Sequence, residues 1–394
     1  MRPAKFTLFT MIKRGNNGQS FAQRGYAMLG IIAAIGVAAT AVVVASLSAT
    51  AVRNEQGRKD SNALALAKQA LIASAASSNT QPGSLPCPDT NNDGLSDLNM
   101  TSGACASSVG RLPWQTLGLP DLRDAAGERL WYAVSANFQD LAANHINAYT
   151  TGMLNVSQPG QDSLSGIVAI VISPGQPVGN QTRDATSVNS AENYLESYTS
   201  STLTATIVAR DSTHNDQLSV VTPADIFSLV ERRVAKEVQT ALQKYYSAPS
   251  NPAPLSMPYP AQAAVPVNGT YTFPSTVVSP PFSTTVLSGY IPSDDPTLVL
   301  PAWFSANYWN AVLFYRVDSN CVPSAVLAAA GPCGAVTFSV PSNSVLIGGT
   351  AGAPGSGTMA MLGFNGVSTS YTNFKTTVIN AAVQAQPQTQ AQMQ

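Results

Sequence analysis

The chain has 394 residues and a formal net charge of −1 at pH 7, and only 10% of its residues are charged. Since ~25% is usual, its surface must be built largely from Ser, Thr, Asn, Gln and backbone groups, as in many exported proteins. The small net charge gives no basic footprint for nucleic acid, so we predict no nucleic-acid partner. His145 and His214 are the only histidines, which leaves few ways to build a Ser-His-Asp or Cys-His catalytic site. We therefore predict that the protein is not an enzyme.

The N-terminal region is divided sharply by charge. Residues 1–25 contain basic residues but no acidic one, and the stretch from Tyr26 to Val52 has no charge at all. This pattern predicts a transmembrane helix over 26–52, with a cytoplasmic leader before it and an exported chain after it. A cleaved secretory signal, ending near Ala49-Thr50-Ala51, and a plain single-pass anchor are the alternatives.

A more specific pattern lies at the start of this stretch. Arg24-Gly25-Tyr26 followed by a long apolar run resembles the class III signal of type IV pilins and pseudopilins. The resemblance implies that a prepilin peptidase cuts between Gly25 and Tyr26, so that the apolar segment stays on the mature protein. The family usually has Glu at the fifth mature position, where this chain has Gly30. The large tip-capping minor pseudopilin of type II secretion is similar in lacking that Glu, which implies a minor or tip role.

Four sequence blocks extend the resemblance over roughly residues 24–240. They are similar to blocks of a family of large bacterial pilin-like proteins, and they are Lys68–Ile72, Leu85–Asp89, Gly110–Asp124 and Glu128–Ser135. The resemblance implies a minor pilin or pseudopilin of a type IV pilus or type II secretion-like filament. Other pilin subunits would be its partners, and the bacterial inner membrane would hold it, with its C-terminal domain in the periplasm. The alternative is an adhesin or other binding module displayed on a pilin-like anchor.

A turn-rich stretch carries a pattern typical of a calcium loop. Oxygen side chains stand at loop positions 1, 3, 5 and 9, with Gly94 at position 6 where such loops turn sharply. The predicted ligands are Asp89, Asn91, Asp93, the carbonyl of Leu95, and Asp97. Position 12 is Met100 instead of the bidentate Glu of an EF-hand, so the loop resembles the shorter loops of dockerin or thrombospondin type 3 repeats. A polar turn stabilised by its own side chains is the alternative.

The four cysteines fall into two local pairs on the predicted exported side. Local pairing, Cys87 with Cys105 and Cys321 with Cys333, is the simplest of three connectivities for an oxidising compartment. A zinc site is the poorer alternative, because no Cys-x-x-Cys is present. The first pair brackets the predicted calcium loop and would clamp its ends.

The predicted fold is α+β. A long N-terminal transmembrane, pilin-like helix over 26–78 leads into a mixed α/β globular domain over 79–247. A Pro-rich linker at 248–262, a β-rich module over 263–383 and a disordered tail at 384–394 follow. Within the first domain, strands are predicted at Leu130–Val134 and Ser165–Ser173, and a helix opens at Thr222 with an N-cap, a Pro and an acidic residue. Three faint echoes between the modules suggest an internal duplication. Leu112-Pro-Trp recurs as Leu300-Pro-Ala-Trp, Trp131-Tyr-Ala-Val recurs as Phe314-Tyr-Arg-Val, and an apolar strand that runs into a Gly/Pro loop recurs as Val345–Gly355.

Overall fold

The computed structural model describes residues 51–99, 103–157, 160, 162–196, 198–199, 202–203, 205–206, 213–248, 255–261, 287–293, 295–323, 333, 345–347 and 359–364. The chain divides into two units, Met1–Lys59 and Asp60–Gln394. In the first unit the described residues, 51–59, are helical, and Arg58 pairs with Glu55 at 2.8 Å.

The predicted fold, led by a long transmembrane helix, is wrong. Among the described residues, no helix is long and apolar enough to cross a membrane. The first described helix, α1, covers 51–77, and its sequence carries charges from Arg53 to Lys68. Its apolar residues instead form a stripe that is buried in a protein core: Ala63, Leu64, Ala67, Leu71 and Ala75. Residues 26–50 of the predicted span lie outside the described residues.

Helix α2, Pro223–Ser247, begins as the sequence predicts. The Thr222 hydroxyl accepts a hydrogen bond from the Asp225 N–H, and the Asp225 carboxylate accepts one from the Thr222 N–H, which completes a capping box. Lys68 of α1 pairs with Asp225 at 2.9 Å. Burial raises the pKa of Asp225, but the hydrogen bonds from Thr222 and Lys68 outweigh it and leave that pKa lowered. The helix ends before Ala248, which is extended because Pro249 follows it.

The largest sheet of the first module is antiparallel, and its two central strands are buried on both faces. Its order is β1 (Val109–Arg111), β2 (Trp131–Val134), β5 (Ala169–Ser173) and β9 (Gln217–Val221). Tyr132 and Val171 face the core that holds α1 and α2, whereas Trp131 and Ile172 face a second cluster. This double burial explains why β2 and β5 are continuous apolar runs without polar alternation.

Two smaller sheets accompany it in the described part of the first module. One has the order β4 (Leu164–Ile167), β3 (Leu154–Ser157) and β8 (Ala205–Thr206), with β3 and β8 parallel; β6 (Tyr198–Thr199) pairs with β7 (Thr202–Leu203). The predicted strand Ser165–Ser173 is therefore two strands in two sheets. The chain changes sheets at Val168, whose N–H donates to the Val221 carbonyl at 2.9 Å.

The second module contains another antiparallel sheet, of order β10 (Ser288–Tyr290), β11 (Leu313–Val317), β13 (Ala360–Phe364) and β12 (Val345–Ile347). A short helix, α3 (Ala302–Ala306), and a 3-10 turn at Trp309–Ala311 precede β11. The two modules share one core, because Trp309 meets Phe227 of α2 edge-on at 6.3 Å. The Asn307 side chain also accepts a hydrogen bond from the Ile146 N–H at 3.1 Å.

The suggested internal duplication is not reproduced in the strand order. The sequence echo equates β2 with β11 and the apolar run containing β5 with the one that begins at β12. In the first sheet β5 pairs directly with β2, but in the second sheet β13 lies between β11 and β12. The echoed segments therefore occupy different places in their sheets.

Candidate functional site

Both predicted disulfides are confirmed. Cys87 bonds to Cys105 with a Cα–Cα distance of 5.3 Å, and Cys321 bonds to Cys333 with a Cα–Cα distance of 4.6 Å. The first bridge encloses the predicted calcium loop, as expected. The loop is also fixed beside β1, because Asp89 and Arg111 exchange two backbone hydrogen bonds of 2.9 and 2.6 Å.

Asp89, at the first loop position, is fully buried and organises the loop. One carboxylate oxygen accepts hydrogen bonds from the N–H groups of Asn91 at 3.1 Å and Asn92 at 2.5 Å. The other accepts the Gly94 N–H at 2.7 Å. Burial raises the pKa of Asp89, the three backbone hydrogen bonds oppose that effect, and repulsion from the Asp93 carboxylate adds to it.

The other predicted ligands also bond within the loop. The Asn91 side-chain oxygen accepts the Asp93 N–H at 2.9 Å, and one oxygen of Asp93 accepts the Leu95 N–H at 2.8 Å. Asp97 accepts two bonds from Thr90, from its N–H at 2.7 Å and from its hydroxyl at 2.6 Å. The bonds of Asn91 and Asp93, each from the N–H two residues further on, are the Asx turns of a polar turn that stabilises itself, and the Asp97 bonds close the loop across seven residues.

Gly94 makes the sharp turn predicted for position 6. Its φ is +90°, a conformation that favours glycine. A Cβ placed there would lie 2.6 Å from ring atoms of Trp114. The Gly94 carbonyl accepts the Gln115 N–H at 2.8 Å. The turn is therefore packed against the Gly110–Asp124 block.

Arg129 anchors the loop from its other side. Its guanidinium donates to the Asn92 carbonyl at 2.6 Å and to the Asn92 side-chain oxygen at 2.9 Å. It also pairs with Asp121 at 2.8 Å, and Arg123 pairs with the same carboxylate at 2.7 Å. Partial burial raises the pKa of Asp121, but these two arginines bring it below its ordinary value. Asp121 therefore joins Arg123 and Arg129 at this turn.

The predicted calcium site can be compared with this geometry. Within the described residues, no three Asp, Glu, His or Cys side chains are arranged to hold a metal ion. The oxygen set suits a hard cation, and the repulsion between Asp89 and Asp93 would be relieved by one. Calcium binding stays a prediction. The cleavage residues Gly25 and Tyr26 lie outside the described part of the chain, and so do Gly30 and Met100.

Two further interactions in the described residues were not predicted from the sequence. Asp60 of α1 is 2% exposed and accepts the Ala125 N–H at 2.7 Å. Glu196 and Asp216 exchange two hydrogen bonds, each from a backbone N–H to the other side chain: the Glu196 N–H donates to the Asp216 carboxyl at 3.1 Å, and the Asp216 N–H donates to the Glu196 carboxyl at 2.9 Å. Burial, with repulsion from Glu196, raises the pKa of Asp216 to about 9. No local sequence pattern marks either contact, since each joins distant segments.

Comparisons of this chain with protein-family models, with curated proteins and with solved structures gave no match.

Proposed function

We propose that this protein is a minor pilin or pseudopilin subunit, in a minor or tip role, of a type IV pilus or type II secretion-like filament. The observation that carries the proposal is the motif Arg24-Gly25-Tyr26. It lies at the junction between a leader without acidic residues and an uncharged stretch that begins at Tyr26. A prepilin peptidase would cut after Gly25, and other pilin subunits would be the assembly partners. Before assembly the protein would be held at the bacterial inner membrane with its C-terminal domain in the periplasm.

The described domain is compatible with that role. The buried stripe of α1, from Ala63 to Ala75, packs on α2 and on an antiparallel sheet and forms part of the domain core. Two disulfides suit a periplasmic or extracellular domain, because such bonds persist in oxidising compartments. These features support an exported subunit and leave its filament system open to experiment.

A second part of the proposal concerns calcium. We propose that Asp89, Asn91, Asp93, Asp97 and the Leu95 carbonyl bind a structural calcium ion that orders the loop and performs no chemistry. Extracellular modules bind calcium with dissociation constants of ~10⁻⁴ to 10⁻³ M, which suits an extracellular filament. The loop's crowded carboxylates supply the charge, and the Cys87–Cys105 bridge already holds the loop ends together.

The alternative function is an adhesin or other binding module that uses a pilin-like anchor only for display. Shearing cells and separating filaments from membranes distinguishes the two functions. A subunit should be recovered in the sheared filament fraction together with the major pilin. A displayed module should stay entirely in the membrane fraction, which would contradict the proposal. Gly25→Leu is the control, because the uncleaved protein should stay with the membrane in either case.

A further inference from the structure

A polar cavity of about 430 Å³ lies beside the loop, on the face of the first sheet that is opposite α1 and α2. Residues from β1, β2, the Asp89–Thr90 corner and the 189–192 segment line it. Ala106 and Glu192 are exposed lining residues, so the cavity reaches the protein surface. Its volume falls in the range of roughly 300–1,000 Å³ that is typical of small-molecule sites.

Arg111 lines the inner part of this cavity and is only 3% exposed. Its guanidinium lies between two aromatic rings, 4.4 Å from the centre of Trp131 and 4.0 Å from the centre of Tyr194. It donates to the carbonyls of Arg129 and Val188, each at 2.9 Å. Its Nε–H has no acceptor, and neither has the indole N–H of Trp131, which lines the same cavity. Two buried donors are thus left unsatisfied there.

Arg111 also lacks a carboxylate in direct contact, since among the described residues none forms an ion pair with it. The neighbouring Arg183 is different, since it is 3.6 Å from the Glu128 carboxylate. Asp89 lines the cavity, but its two oxygens accept backbone N–H groups of its own loop. Buried guanidinium groups normally have an ionic partner, and here the cavity is where such a partner could approach.

We propose that this cavity binds a carboxylate carried by a molecule the size of a monosaccharide or an amino acid, with Arg111 as its counter-charge. A planar guanidinium matches a carboxylate in a paired hydrogen-bond geometry. A single arginine, with Asp89 and Glu192 also at the cavity, suits a monoanion better than a phosphate dianion. The ring of Trp131 offers an apolar surface for the rest of the molecule. The proposal does not rest on filament assembly, and the titrations are made in EDTA because Asp89 belongs both to the cavity and to the predicted calcium loop.

The test compares probes that differ only in the carboxylate. Glucuronate is compared with glucose, and N-acetylalanine with N-acetylalaninamide, by titration calorimetry on the full chain at fixed salt. In at least one pair, the carboxylate should bind at least ten-fold more tightly than its neutral counterpart, and that pair identifies the source as a sugar acid or a peptide terminus. Equal binding within both pairs, or binding of none of the four probes, overturns the proposal.

Variants locate the binding. Ala106→Phe fills the cavity from an exposed position and leaves Arg111 in place, so it should abolish carboxylate binding. Ser108→Phe is the matched control, because Ser108 is exposed, two residues away and not among the lining residues. Arg111→Met should also remove binding, but the Ala106 variant decides the question if that change prevents folding. Carboxylate binding that survives Ala106→Phe, or that is lost equally in Ser108→Phe, overturns the site.

Discussion

Replacing Asp89 by Ala should destabilise the protein much more than replacing Asp93 by Ala, four residues away. Both are acidic residues of the same loop, but their structural roles differ. Asp89 is fully buried and accepts three backbone N–H groups, including the buried one of Gly94. Asp93 is exposed and accepts one, from Leu95. The pair therefore separates the structural role of the carboxylate from its charge.

The expected magnitudes follow from these hydrogen bonds. A buried donor left without an acceptor costs about 1–3 kcal/mol, and an ordinary hydrogen bond contributes about 1 kcal/mol. Asp89→Ala leaves one buried and two half-buried donors unsatisfied, for a total loss of about 3 kcal/mol. Asp93→Ala should lose about 1 kcal/mol or less, because water can reach the Leu95 N–H.

Urea unfolding followed by far-UV circular dichroism, in buffer with EDTA to remove calcium, measures both values. With a denaturant slope of about 3 kcal/mol/M, the midpoint should fall by about 1 M for Asp89→Ala and by a third of that or less for Asp93→Ala. Equal shifts for the two variants would show that Asp89 does not organise the loop.

Three further predictions concern the cation, a buried acid and the disulfides. Calcium should raise the melting temperature of the wild-type protein more than that of Asp93→Ala, because a ligand that binds only the folded state stabilises it. Equal shifts in melting temperature for the two proteins, or no shift in either, would show that the loop is only a polar turn. Asp216 has a folded pKa of about 9, above its unfolded value, so its contribution to stability is complete below about pH 4 and declines as pH rises towards 9. Asp216→Asn should therefore raise the melting temperature at pH 8 and change it little at pH 4. Asp184→Asn should instead lower the melting temperature at pH 8, because hydrogen bonds from Thr186 and Ser187 lower the pKa of Asp184. A gain in melting temperature for Asp216→Asn that does not depend on pH would contradict this assignment. Reducing the two disulfides, which span 18 and 12 residues, should lower the free energy of unfolding by about 3 kcal/mol each without unfolding the core. Thiol counting on the unreduced protein after unfolding should find no free thiol.

Local signals allowed several elements to be predicted. The Thr222 cap, the following Pro and Asp225 identified α2, and the apolar run at Trp131 identified β2. The spacing of the cysteines was sufficient for both disulfides. Gly94 was expected to make a sharp turn, and its positive φ confirms this. In each case the information lies within a few residues of the feature that it determines.

Predictions were wrong or missing where distant residues decide the structure. The apolar run around Val168 looked like one strand, because hydropathy does not show that its halves pair with different partners. The buried position of Arg111 depends on Tyr194, far along the chain. The prediction of a long N-terminal helix that crosses a membrane over 26–52 was wrong, since no helix among the described residues is long and apolar enough to do so, and residues 63–75 bury an apolar stripe in a protein core.

The mature N-terminus tests the central proposal most directly. The full chain would be expressed with a prepilin peptidase and its N-terminal peptide identified by mass spectrometry. The account predicts a start at Tyr26 for the wild-type protein and for Gly18→Leu, a control change within the leader, and an uncleaved leader for Gly25→Leu. A start at Ala27 or later, or an intact Met1 in the wild-type protein, would contradict it.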